Sequence, residues 1–393
     1  MKKCTIDDLT DISGKKILVR VDFNVPMQDG QISDDTRIKA ALPTLRYLSG
    51  KGAKLILTSH LGQPKVPTPS LSLKPVSQRL SQLLNVPVSF SDDCVGESSK
   101  QAVAKLNNGD IVMLENVRFY SEETKNDSQF SAQLASLADI YVNDAFGAAH
   151  RAHASTVGVA RYLPAYAGFL MKKELEFLDH SIQHPKRPFL AIIGGSKVSS
   201  KLAVLKHLLG KVDTLVIGGA MAYTFFKAKG YPVGKSLWEA DQVEEAKAFL
   251  QEASNNSTRV ILPVDHVVVE TFSNEASQRV LPVDQIAELE IGVDVGPQTV
   301  ALIQDEVKKA QTIFWNGPLG VFEMPAFAKG SFSVARALAD SSAITIIGGG
   351  DSASAIAQAG LSDKMTHIST GGGASLEFME GRILPGVAAL KDR

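Results

Sequence analysis

With 393 residues the chain can form more than one sizeable core, and 44% hydrophobic with 21% charged residues is the balance of an ordinary globular protein. A formal net charge of −1 excludes any whole-chain reason to bind nucleic acid or an acidic membrane, so an anion site has to be local. Two cysteines, Cys4 and Cys94, match neither a metal-ligand spacing nor a disulfide framework, which suits a reducing cytosol.

The opening, MKKCTIDDLTDIS, lacks an apolar stretch of signal-peptide length, and no apolar run in the chain reaches bilayer-spanning length. A soluble cytoplasmic protein is expected. The first half then repeats one pattern, a short apolar run ending in polar, nitrogen-rich residues. Ile17 to Val21 runs into Asp22, Asn24 and Pro26, and Leu55 to Leu57 into Ser59, His60 and Gly62. Ile111 to Leu114 runs into Glu115, Asn116 and Arg118, and Ile140 to Val142 into Asn143, Asp144, His150 and Arg151. Helical periodicity over Arg37 to Leu48, Val76 to Leu84 and Gln129 to Leu137 separates these runs. Strands alternating with helices predict a parallel sheet covered on both faces, whose ligands sit beyond the carboxyl ends of the strands.

Pro164 to His180 breaks the alternation. Leu170, Met171, Leu175 and Leu178 recur with helical spacing, and Lys172 and Glu176 can pair at i,i+4. One helix joining two bodies is predicted. Phe189 to Leu209, FLAIIGGSKVSSKLAVLKHLL, follows as strand, glycine turn and helix. If that helix begins near Lys197, Lys197 and Lys201 share one face at its mouth and make a polyphosphate seat with the free backbone N–H groups. An ordinary βα unit with solvated lysines accounts for this stretch equally well.

The second half continues in βα alternation with barer strand ends. Leu215 to Ile217 meets Gly218-Gly219, Ile313 to Trp315 meets Asn316-Gly317-Pro318, and Ile344 to Ile347 meets Gly348 to Asp351; Ile368 meets Thr370-Gly371-Gly372-Gly373. Gly348 to Ala353 fits a dinucleotide pattern, yet no acidic residue ends the next strand, which disfavours a dehydrogenase. Gly230 to Ser236 imitates a phosphate loop with one residue too few and reads as a turn. Asp351 opens a small-residue helix. It is explained either as an N-cap or as the single carboxylate that a nucleotide-bound Mg²⁺ requires. Glu323 alone reads as a solvated carboxylate, and any one arginine of the first half as a surface ion pair. Several arginines converging would instead imply an anionic ligand.

Together these stretches resemble a known family. RVDFNVP (Arg20 to Pro26), SHLGQP (Ser59 to Pro64), ENVRF (Glu115 to Phe119) and NDAFGAAHRAHAS (Asn143 to Ser155) carry the resemblance in the first half. GGSKVSSK (Gly194 to Lys201), DVGPQT (Asp294 to Thr299), WNGPLGVFE (Trp315 to Glu323), GGGDS (Gly348 to Ser352) and STGGGASLE (Ser369 to Glu377) carry it in the second. The chain is similar to phosphoglycerate kinases from end to end. The resemblance implies α/β architecture, with two Rossmann-like domains of parallel sheet joined by a helix and an active site in the cleft between them. The phosphoglycerate-binding domain would be 1–165, to which 384–393 returns. The nucleotide-binding domain would be 166–383, including a linker helix 166–180.

By the same resemblance Asp22, Phe23, Asn24, Arg37, His60, Leu61, Gly62, Gln63, Arg118 and Arg151 bind 3-phosphoglycerate or 1,3-bisphosphoglycerate. Lys197, Lys201, Asn316, Glu323, Gly349, Gly350, Asp351 and Ser352 bind ATP or ADP, with Glu323 at the ribose and Asp351 on Mg²⁺. Arg37, Lys197, Gly372 and Gly373 act on the group in flight. The family implies a monomer that transfers a phosphoryl group reversibly between ATP and a carboxylate, in glycolysis and gluconeogenesis. Two positions depart from the family pattern: Gln63 stands where arginine is usual, and Ser352 where threonine is common. A carboxylate nucleophile is ionised at neutral pH and needs no general base, which agrees with strand ends that offer no base-and-nucleophile pair. A two-domain solute-binding protein shares the bilobed plan but requires an export signal.

Overall fold

The apolar runs of the first half become six parallel strands: β1 (Lys16–Arg20), β2 (Lys54–Thr58), β3 (Val88–Phe90), β4 (Ile111–Met113), β5 (Ile140–Asn143) and β6 (Ala165–Ala167). They lie side by side in the order β3-β4-β2-β1-β5-β6. In β1 every residue after Lys16 is buried, as a sheet covered on both faces requires. Helix α1 (Thr36–Gly50) buries Ile38, Ala41, Leu42, Leu45 and Leu48, a stripe at helical spacing, in the same core as Val19, Leu55 and Leu57. The computed structural model describes residues 2–393, and at 180–183 it describes the backbone alone. It divides into two units, Met1–Glu176 with Ile383–Arg393, and Phe177–Arg382.

Helix α2 (Phe169–Gln183) starts later than the periodicity suggested. Ala165–Ala167 is strand β6, paired with β5 through Tyr141↔Ala165 and Asn143↔Ala167. The helix opens only after Gly168, where Asp144 Oδ1 accepts the N–H groups of Leu170 (2.9 Å) and Met171 (3.2 Å). Pro164 therefore precedes an edge strand and not a helix. Lys172 pairs with Asp7 at 2.8 Å, whereas Glu176 had been its expected partner. The division between the units falls inside α2, after Glu176, and not at its start. Phe177 already belongs to the second unit, where its ring stacks on His367 at 4.6 Å.

The second unit contains β7 (Phe189–Ile193), β8 (Thr214–Ile217), β9 (Arg259–Ile261), β10 (Asp265–Val269), β11 (Arg279–Pro282), β12 (Ile291–Val295), β13 (Thr312–Asn316), β14 (Ile344–Gly348) and β15 (His367–Ile368). Its parallel sheet has the order β9-β8-β7-β13-β14-β15, the doubly wound arrangement that reverses direction between β7 and β13. All five residues of β7 are buried. The remaining strands form an antiparallel sheet, β11-β10-β12, which strict βα alternation did not anticipate. Among the described residues no helix is long and apolar enough to cross a membrane.

Candidate active site

In the first unit the polar residues beyond β1, β2 and β4 are tied into one network. Arg37 Nη1 lies 3.2 Å from Asp22 Oδ2 and donates to the Asn24 carbonyl at 3.1 Å. Asn24 Oδ1 accepts the Gly62 N–H at 2.8 Å, and the Gly62 carbonyl accepts from Arg118 Nη1 at 2.7 Å. Asn116 Nδ2 donates to the Leu61 and Leu71 carbonyls at 2.8 and 2.9 Å, fixing the loop that carries His60. Arg151, beyond β5, donates to His150 at 3.1 Å. It lies near enough that burial, followed by the charges of Arg20 and Arg151, brings Arg118 down to about 10.

Two predicted contributors turn inward. The side chains of Phe23 and Leu61 are buried in the sheet core, and the Phe23 N–H is already taken by Ser59 Oγ at 2.9 Å. Gln63 and Lys65 are exposed on the same loop.

Arg20, which ends β1, was not singled out in the sequence, yet it underlies the whole cluster. It is 1% exposed; its Nε donates to Ser155 Oγ at 2.8 Å, its Nη1 to the Val21 carbonyl, and its Nη2 lies 3.1 Å from His60 Nδ1. Guanidinium has only donors, so His60 Nδ1 must accept and the ring proton sits on Nε2. Burial first, then the charge of Arg20, hold His60 well below the usual imidazole range. Behind Arg20, fully buried Glu123 accepts Ser155 N–H (2.8 Å) and Oγ–H (2.6 Å). A basic residue ending an apolar run was the available signal for Arg20; Glu123 gave none, because its segment reads as an exposed turn.

In the second unit the sheet's reversal point brings two glycine turns together. A Cβ on Gly317 (φ +88°) would overlap the Gly194 carbonyl, and one on Gly194 would overlap the carbonyls of Gly317 and Pro318. The helix after this turn, α3 (Leu202–Leu208), begins five residues beyond Lys197. The two lysines consequently do not share a helix face. Lys201 stands at the N-cap position with Nζ bonded to Asn316 Oδ1, and Lys197 is exposed in the preceding turn. Burial lowers the Lys201 pKa, while Asp351 and Glu380 oppose the shift.

Helices α4 (Gly350–Gln358) and α5 (Gly372–Met379) start side by side, since a Cβ on Gly372 would lie 2.9 Å from Gly349 Cα. Neither helix has a side-chain cap, and the N-cap residues are Gly349 and Gly371. Asp351 is thus not an N-cap. It sits in the first turn of α4, exposed, and lines with Glu323 a cavity of about 430 Å³. Ser352 behaves differently from its expected role, because its hydroxyl is fully buried and accepts the Gly317 N–H at 2.5 Å. Gly373 is exposed in the first turn of α5.

What this arrangement offers is anion chemistry on both units: clustered guanidinium and imidazole on one, and uncapped helix N-termini with lysine on the other. The exposed Asp351 carboxylate in the first turn of α4 fits a Mg²⁺ carried by a nucleotide, which takes one or two protein carboxylates besides phosphate and water. Comparison with known proteins agrees. The family model described as Phosphoglycerate kinase matches residues 6–382. The phosphoglycerate kinase of Clostridium botulinum (strain Langeland) is 55% identical over 395 residues, covering 100% of this chain and 99% of that protein. Solved phosphoglycerate kinase structures from Coxiella burnetii and Pyrococcus horikoshii superpose with TM-scores of 0.89 and 0.87 at 40% and 34% identity, each covering 98% of both chains. With its motifs in order, its doubly wound second unit and relatives matched over full length, the chain belongs to the phosphoglycerate kinase family.

Proposed function

We propose that the chain catalyses 1,3-bisphosphoglycerate + ADP ⇌ 3-phosphoglycerate + ATP, with the first unit holding the phosphoglycerate and the second the nucleotide. The observation that carries this reading is the pair of uncapped glycine N-termini, α4 and α5, beside Lys201 and the cavity bearing Glu323 and Asp351. Free N–H groups there suit a polyphosphate. Arg118, Arg151 and His60 hold the phosphate of phosphoglycerate, and His60 serves as a neutral Nε2–H donor. Asp22 and Asn24 orient Arg37, which steadies the attacking carboxylate.

Lys197 and the Gly372 and Gly373 N–H groups stabilise the phosphoryl group between donor and acceptor oxygens, a task of positioning and charge neutralisation without proton transfer. Asp351 would hold Mg²⁺, whose chemistry is to neutralise phosphate charge. Phe23 and Leu61 contribute by supporting the loops. The chain acts as a monomer in the cytoplasm. Phosphoryl transfer from MgATP to 3-phosphoglycerate, measured for wild type and Arg37→Ala, tests the reading; failure of 3-phosphoglycerate to accept phosphate overturns it.

A further inference from the structure

Lys197 lies in a turn before α3, where no helix fixes its direction. It is exposed, and among the described residues its ammonium makes no hydrogen bond or ion pair. Its backbone, by contrast, is fastened. Val198 is fully buried, and its carbonyl accepts the N–H groups of Lys201 and Leu202 at 2.8 Å each; Ser200 Oγ donates to the Lys197 carbonyl at 2.9 Å.

Ser199, in the same turn, is held from outside it by Glu239, 40 positions further along the chain. Glu239 Oε2 accepts the Ser199 N–H at 2.9 Å, and Oε1 accepts the Ser199 hydroxyl at 2.5 Å. Hydrogen bonds to an ionised acceptor are stronger than neutral ones, and a grip by both oxygens fixes direction as well as distance. Glu239 is itself held on both sides: its N–H donates to Thr224 Oγ1 at 3.1 Å, and its carbonyl accepts the Gln242 N–H at 3.2 Å. Thr224 is buried in the helix Met221–Ala228, so the grip is anchored in the core of the unit. Glu239 also stands at the N-cap of the 3-10 turn Ala240–Gln242, where an acidic side chain ordinarily caps its own helix; it makes no such bond and reaches Ser199 instead.

Resting on the proposal that Lys197 stabilises the phosphoryl group between donor and acceptor, we infer that Glu239 is a positioning residue for phosphoryl transfer: by gripping both donors of Ser199 it holds the Lys197 turn so that the ammonium meets the transferring group without first having to be ordered. A turn without that grip would add backbone freedom to an already long side chain, and misplacement by about 1 Å costs up to about a hundredfold in rate. A surface staple that serves stability alone is the competing arrangement.

Steady-state turnover of MgATP with 3-phosphoglycerate and calorimetric titration with ADP, both on the full chain, separate the two. Glu239→Ala should lower kcat about tenfold while ADP affinity changes less than about twofold, the split expected when the interaction served is made in the transition state. That loss should disappear once the lysine is gone: Glu239→Ala combined with Lys197→Ala should be no slower than Lys197→Ala alone, since nothing is left to position. Glu239→Gln keeps one acceptor oxygen and should fall between wild type and Glu239→Ala. Ser199→Ala removes only a hydroxyl from an exposed residue and should lose about threefold in kcat, again only while Lys197 is present; it decides the matter even if Glu239→Ala does not fold. Unchanged kcat in Glu239→Ala and Ser199→Ala overturns the inference, as do losses that multiply with that of Lys197→Ala, the mark of a staple acting on the unit as a whole. If Lys197→Ala itself turns over at the wild-type rate, the role given to Lys197 falls, and this inference with it.

Discussion

The two units build their polar sites by opposite means. In the first unit the site is made of long basic side chains, with the cationic Arg118 and the buried cationic Arg20 flanking a neutral His60, and Glu123 behind. In the second it is mostly backbone, where glycine turns and helix N-termini expose N–H groups and Lys201 is anchored from the side by Asn316. Like charges repel, so the first arrangement persists only because carbonyls and a buried acid compensate it. The second needs no compensation, but at Gly194, Gly317 and Gly372 it tolerates no added atom. Side-chain sites should therefore fail through electrostatics and backbone sites through sterics.

The largest effect should come from removing the compensating acid. Glu123→Ala leaves the buried Ser155 N–H and Oγ–H without the carboxylate that accepts them and Arg20 without the acid behind it, and a loss of about 3–5 kcal/mol is expected from chemical denaturation. A loss below about 1 kcal/mol would mean that carbonyls and Ser155 suffice. Close behind, Gly317→Ala combines a left-handed backbone with overlap onto the Gly194 carbonyl and should cost roughly 3 kcal/mol. Calorimetry should show its unfolding temperature depressed and nucleotide binding lost, whereas Gly30→Ala, at a left-handed turn with open space around it, should suffer only the backbone penalty.

Lys197→Ala probes an exposed cation in the glycine turn of the second unit. Turnover should fall roughly a hundredfold with little change in ADP affinity, because its charge matters most as the phosphoryl group moves. Collapse of affinity with intact turnover would make Lys197 a ground-state anchor. Asp294 tests whether the second unit is free of electrostatic cost. Burial raises its pKa to about 7, against 3.8 for an ordinary aspartate, so folding retains its proton and its contribution is lost as pH rises through 7. Between pH 6 and 8 wild type should lose roughly 1.4 kcal/mol of stability that Asp294→Asn does not.

The smallest effect is expected at Gln63, exposed beside the Gly62 carbonyl that anchors Arg118. Gln63→Arg should tighten 3-phosphoglycerate binding by less than about tenfold and leave ATP affinity unchanged. Unaltered or weaker phosphoglycerate affinity would show that this side chain does not face the phosphate.

What was legible in the chain was whatever local chemistry decides. Apolar runs ending in polar clusters marked β1, β2, β4 and β5, and a helix expected over Arg37 to Leu48 spans Thr36–Gly50. Where the sequence misled, tertiary contacts had overruled local pattern. Ala165 to Ala167 is strand because β5 offers it an edge, and Lys197 lies outside α3 because the turn after Gly195 packs against Pro318 before the helix can begin. Residues acting at second remove were the least visible. Nothing in the neighbourhood of Glu123, Tyr223 or His266 declares that each meets a partner some 32 to 43 positions away.

The return of residues 383–393 to the first unit bears on the order in which the protein matures during synthesis. Cys4 N–H bonds the Lys391 carbonyl, Lys391 N–H bonds the carbonyl of Ala165, the first residue of β6, and Gly386 N–H bonds the Ala149 carbonyl. Lys3 Nζ reaches the Leu390 carbonyl at 3.0 Å and Asp392 at 2.7 Å. At translation speeds of about 5–20 residues per second, the ribosome needs on the order of 10–40 s to deliver that segment after the rest of the first unit has emerged. Throughout that interval the nascent first unit must wait with one edge unfinished, while the second unit, continuous in the chain, can mature as it appears.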